Sequence, residues 1–155
     1  MLNTTFRKAK EARACTESYK KMGLALGGIR KYGKDTPIPL SKVVEVCGLM
    51  DAIWALRCTI EPSENLLIEF VCRCAEHVLH FYEDKYPDDK RPRQAITAAR
   101  ICIADKSAAA RDTAWAARDA ARAAAWAAGD AALIAEIEWQ TQTFLSLLGE
   151  KHDTH

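Results

Sequence analysis

The densest group of side chains able to do chemistry is Cys72, Cys74, His77 and His80. On a helix, Cys74 and His77 share one face. Glu76, His80 and Asp84 share another, at four-residue steps that place nitrogen and oxygen ligands one above the next. No Cys-x-x-Cys or His-Glu-x-x-His pattern accompanies them, so no metal site and no cofactor is expected, and the histidines read as hydrogen-bonding groups. A Cys74–His77 nucleophile–base pair would need an accessible, stabilised thiolate, whereas Cys74 falls on an apolar stripe. Glu83, Asp84, Asp88 and Asp89 gather four carboxylates, but Lys85, Lys90, Arg91 and Arg93 are interleaved with them. A mixed-charge corner fits that pattern better than a general acid/base site. Gly23-Leu24-Ala25-Leu26-Gly27-Gly28 lacks the Gly-Lys-Ser/Thr ending of a phosphate loop and follows no strand, so its glycines read as close-packing and terminating positions. No catalytic residue is expected.

The elements that position these groups read as helices. Thr4 or Thr5 can cap a first helix whose inward stripe is Ala12, Cys15, Tyr19, Met22 and Leu26. Gly27-Gly28 ends or bends it, and Tyr32 to Pro39, with two prolines, forms a linker. Ser41 can cap a short helix, and Gly48 separates it from a second over Leu49–Leu56. Pro62-Ser63-Glu64 marks the start of a central helix with an inward stripe of Leu67, Val71, Cys74, Val78 and Phe81, ending near Tyr86-Pro87. Asp88 or Asp89 caps the next helix, with Pro92 in its first turn and Ala95, Ile96, Ala99, Cys102 and Ile103 on its apolar side. After Gly129, Leu133, Ile137, Phe144 and Leu148 form a last stripe.

Residues 114–117 and 125–128 both read Ala-Trp-Ala-Ala, and Arg111 recurs as Arg122 at the same spacing. Eleven residues make three turns at about 3.67 residues per turn, so Trp115 and Trp126 stack along one side with Arg111, Arg118 and Arg122 beside them. The opposite side is almost wholly alanine and lets a neighbouring backbone approach closely. Two arrangements follow. The Trp/Arg/Asp wedge faces a partner, since Trp and Arg make favoured binding anchors, or the indoles fill grooves in a bundle while the arginines reach outward.

These patterns imply an all-α fold: a compact multi-helix bundle with an alanine-rich C-terminal helix or helix pair. Its 155 residues suit one domain. Within it, 1–35 is a basic N-terminal helix and linker, 36–106 the central helices, and 107–149 the alanine-rich, closely packed region. With no secretory signal and no apolar run of about 20 residues, no membrane association and a cytoplasmic location are expected. The six cysteines are then reduced core thiols. Net charge is +1, yet residues 1–34 hold nine Lys/Arg against Glu11 and Glu17. Without an aromatic or motif-based reading surface, that basic stretch disfavours nucleic acid as a partner and reads as a solvated helix. The alanine side leaves open a homodimer seam.

Asp51-Ala52-Ile53-Trp54-Ala55-Leu56-Arg57, the block Tyr86-Pro87-Asp88-Asp89-Lys90-Arg91-Pro92-Arg93-Gln94-Ala95-Ile96, the Ala-Trp-Ala-Ala segments and Trp139-Gln140 together resemble helical immunity proteins of bacterial polymorphic-toxin systems, with relatives in phages and mobile elements. The resemblance spans roughly 37–149, and the Tyr86–Ile96 block carries most of it. It implies a non-catalytic, stoichiometric inhibitor that occludes the surface of a protein toxin or of a host defence or effector protein. The partner-binding residues expected are Tyr86, Asp88, Asp89, Arg91, Arg93, Arg111, Trp115, Arg118, Arg122 and Trp126. For the corner, capping and internal ion pairing (Arg93 lies four residues beyond Asp89) are an equally weighted alternative. A structural or regulatory interaction protein, including phage counter-defence, is the competing function.

Overall fold

The computed structural model describes residues 2–104 and 130–149. The alanine-rich array lies outside these residues, and with it Arg111, Trp115, Arg118, Arg122, Trp126 and Gly129. Among the described residues the fold is helical, with one small strand pair. The chain divides into two compact units, Met1–Ser63 with Phe144–His155, and Glu64–Thr143. No helix among the described residues is long and apolar enough to cross a membrane.

In the first unit, β1 (Asn3–Thr4) pairs antiparallel with β2 (Ile38–Pro39), Thr4 opposite Ile38. The Asn3 carbonyl also accepts the Ile60 N–H at 2.7 Å, and the Thr4 hydroxyl donates to the Cys58 carbonyl at 2.7 Å. Three segments distant in sequence therefore satisfy each other's backbone groups, which burial would otherwise leave unpaired. Such pairing leaves no local pattern, and the strands were not anticipated.

Thr5 caps α1 (Phe6–Glu11), accepting the Lys8 N–H. The single long first helix expected there is in fact two. Arg13 adopts φ 63°, a left-handed conformation that interrupts the helix, and α2 (Thr16–Ala25) starts again with Cys15 as its cap. The thiol of Cys15 accepts the Ser18 N–H, so this residue is exposed at a helix start rather than buried on a stripe. Gly23 is buried, and a Cβ there would lie 2.9 Å from Ile29. Gly27 and Gly28 take positive φ and end α2 before the short α3 (Ile29–Tyr32). Close packing and termination thus account for the glycine run.

Helix α4 (Leu40–Cys47) is capped by Pro39, not Ser41, because the strand runs directly into the helix. Gly48 at φ 91° separates it from α5 (Leu49–Ala55), which tightens into a 3-10 turn over Leu56–Cys58. Phe6, Ile38, Leu40, Ile53 and Leu56 are buried in this unit, as are Phe144 and Leu147.

The second unit contains α6 (Glu64–Lys85), α7 (Arg91–Ala104) and most of α8 (Asp130–Gly149). Helix α6 has the predicted span. Val71 and Cys74 are buried as expected, but Phe81 is 68% exposed. Its early turns bury Leu66, Ile68, Phe70, Val71 and Cys72 nearly all around, whereas beyond Leu79 no residue of the helix is buried. Apolar periodicity therefore runs past the covered part of the helix. Ile96, Ala99 and Ile103 of α7 pack on Ile68 and Cys72, while Ala95 is exposed. On α8, Phe144 and Leu148 are buried but Ile137 is exposed. The side chains of Cys102 and Leu133 lie outside those described.

Candidate functional site

Helix α7 is held to α6 by ions as well as by apolar contact. Arg100 donates to Glu69 at 3.2 Å and to Glu76, and Arg73 donates to Glu69 at 2.9 Å. Burial disfavours ionisation of Glu69, yet hydrogen bonds from Arg73 and Arg100 outweigh it and hold its carboxyl below the ordinary range. The Arg100 pairs do not stand out in the sequence, because they join two helices whose register only the fold sets.

The thiols of α6 are inert. Burial pushes Cys72 up to about 11 and, with the nearby charge of Glu136, Cys74 up to about 12. At neutral pH neither is a thiolate, which removes the nucleophile the Cys74–His77 pair would require. His77 instead turns to α8. Its Nδ1 lies 2.9 Å from Glu136, and its ring stacks on Trp139 at 3.8 Å and 5°. Glu136 and Trp139, three residues apart on one helix face, were missed by sequence reasoning. His80 Nδ1 donates to the His77 carbonyl at 3.0 Å. Among the described residues, no three His, Cys, Asp or Glu side chains gather as metal ligands. The five described cysteines are free, and three are buried.

Where α6 gives way to α7, the mixed-charge corner is built from nested pairs. Asp89 accepts the Arg91 backbone N–H at 3.1 Å and so opens α7. The same carboxylate receives the Arg91 guanidinium at 2.6 Å and the Tyr82 hydroxyl at 2.8 Å. These donors drive the Asp89 pKa far below the carboxylate range, and the hydrogen bond to the Asp89 carboxylate raises that of Tyr82. Arg93 does not take Asp89, the partner its spacing suggested. It reaches back to Glu83 with two bonds of 2.8 and 2.6 Å, because Arg91 already occupies Asp89. The Lys90 ammonium donates to the Pro87 carbonyl at 2.7 Å.

Beside these clamps the rings are open to solvent. Phe81 is 68% exposed, Tyr86 46% and Tyr82 37%. Tyr82 and Tyr86 lie 5.0 Å apart, and the Lys85 ammonium sits 5.4 Å from the Tyr86 ring. Asp88 is exposed, and so are Arg91 and Arg93. Of the ten residues expected to bind a partner, the structure gathers five at this corner: Tyr86, Asp88, Asp89, Arg91 and Arg93. The other five fall outside the described residues. Phe81 and Tyr82 were missed as surface groups because helical periodicity assigned Phe81 to the core.

All of this corner lies within residues 57–138, which match the model of a family described as "Imm-5 like putative immunity protein". The match spans more than half of the 155-residue chain. The chain belongs to that family. Its matched portion takes in α6, α7 and the start of α8, and with them the ionic staple, the His77–Glu136 contact and the corner, and it stops one residue short of Trp139. Neither the curated proteins nor the solved structures include a match.

Proposed function

We propose that this protein is a non-catalytic, stoichiometric inhibitor that neutralises a bacterial toxin or comparable effector protein by covering part of its surface, using the α6–α7 corner. The observation carrying this reading is the exposure of Phe81, Tyr82 and Tyr86 beside charged groups already locked in place, inside the family-matched stretch. Aromatic side chains offer large contact area at low entropic cost. Arg91 and Arg93, held by Asp89 and Glu83, present guanidinium edges whose geometry does not have to be fixed on binding. The buried, protonated thiols of α6 fit a scaffold and supply no nucleophile.

The test is capture of a protein partner from the native host, followed by an activity assay of that partner. A one-to-one complex in which the partner's activity falls supports the proposal. Phe81→Ser with Tyr86→Ser should weaken the complex by about thirtyfold or more, the scale of hot-spot loss, with helical content unchanged. Undiminished affinity in that folded variant removes the corner from the interface.

A further inference from the structure

The first unit contains a partly open cavity of about 110 Å³ that partner binding at the corner does not use. Its walls run from Thr4 to Ala55, outside the family-matched residues 57–138. Phe6, Tyr19 and Trp54 border it, with Phe6 and Tyr19 edge to face at 5.3 Å. Met22 and Ile38 add aliphatic surface. On one side the apolar wall gives way to a short chain of polar groups. The Ser18 hydroxyl donates to Asp51 Oδ2 at 2.7 Å, and the Cys15 thiol donates to Ser18 Oγ at 3.0 Å. The Asp51 carboxylate lines the same cavity.

We propose that this cavity is a binding site for a single-ring, largely apolar molecule carrying one O–H or N–H donor, the class of simple phenols and arylamines, with the donor directed to Asp51. Size sets the first limit. A closed apolar cavity of roughly 150 Å³ holds benzene, so this smaller, partly open one accepts one ring and excludes fused or long-chain ligands. Composition sets the second. Bordering aromatic edges and the Met22 thioether favour an aromatic guest through edge-to-face and sulfur–ring contacts. Charge sets the third. A carboxylate in an apolar rim disfavours an anionic guest and rewards a donor, because a hydrogen bond to a charged acceptor exceeds a neutral one.

The experiment is a titration of the full chain with phenol and, in parallel, with toluene, which replaces the hydroxyl by a methyl of similar size. Binding is followed by the NMR signals of the Trp54 indole N–H and the Ala9 and Ala14 amides. Phenol should give saturable shifts confined to the cavity, and toluene should bind about tenfold or more weakly, the loss of one charge-assisted hydrogen bond. Asp51→Ala should bring phenol down to the level of toluene, and Ala14→Leu, which fills the cavity, should abolish both. Three results overturn the proposal: no saturable shift with phenol, equal affinity for the two rings, or phenol shifts that persist in a folded Ala14→Leu protein. Should Ala14→Leu not fold, the phenol-to-toluene ratio in the unmodified protein decides by itself.

Discussion

The two units hold themselves together by different means. In the first, short helices are separated by Arg13, Gly27-Gly28 and Gly48, all at positive φ, and a buried set of apolar side chains including Phe6, Ile38 and Leu40 fills the space between them. In the second, long helices need few breaks and lean on Arg73–Glu69, Arg100–Glu69 and Arg100–Glu76 pairs. Apolar residues face solvent in both units, Leu24, Met50 and Ile60 in the first and Phe81, Ile101, Ile134 and Ile137 in the second, but among the described residues only the second sets exposed rings beside charged groups already paired. Burial contributes far more per residue than a partly exposed ion pair. The first unit, which buries more of its apolar side chains, is therefore the more sensitive to truncation.

Leu40→Ala, at a fully buried position of α4, tests that contrast most severely. It should cost about 3 kcal/mol through lost transfer energy and an unfilled cavity, read as a lowered denaturation midpoint and faster amide exchange across residues 2–63. A loss below about 1 kcal/mol would mean that this core is not what stabilises the unit. Gly48→Ala comes next. A Cβ there meets nothing within 4 Å, so the cost is purely conformational, about 2 kcal/mol for a backbone region that essentially only glycine occupies. A neutral result would show the α4–α5 joint adjusting freely.

The ionic staple should respond less. Arg100→Ala is expected to cost about 1 kcal/mol, since the side chain is about a third exposed and screening discounts the pair. Its effect also depends on pH. Glu69 is held below its ordinary 4.5. A depressed carboxyl contributes stability that is complete above the unfolded value and drains away as pH falls through the folded one. The gap between Arg100→Ala and the unmodified protein should therefore be full near pH 7 and narrow steadily below about pH 4.5. A gap that stays constant to pH 3 would assign the loss to packing of the Arg100 stem. Smallest of all, Phe81→Ser should change stability by no more than about 0.5 kcal/mol, as exposed positions generally do. A large drop would return Phe81 to the core, where its periodicity had put it.

Much of the helical framework was legible beforehand because its signals are local. Thr5 caps α1, Gly48 divides α4 from α5, Ser63-Glu64 opens α6, and Asp89 opens α7 through the Arg91 N–H. Each rests on groups within a few residues of one another. The corner was legible as a cluster but not as a wiring diagram. Its charges were expected to pair four residues apart, yet Arg93 skips Asp89 for Glu83, ten residues away.

Composition, capping residues and breakers by themselves indicated that the described residues are mainly helical and where several of their helices begin or end, because those preferences act over one or two turns. Only tertiary structure decided that Asn3–Thr4 is a strand, that Phe81 is outside while Cys74 is inside, and that His77 stacks on Trp139. Those outcomes depend on which segment, remote in sequence, arrives to supply a hydrogen bond, a cover or a ring. Periodicity records which face of a helix is apolar but not where along its length a neighbour stops covering it.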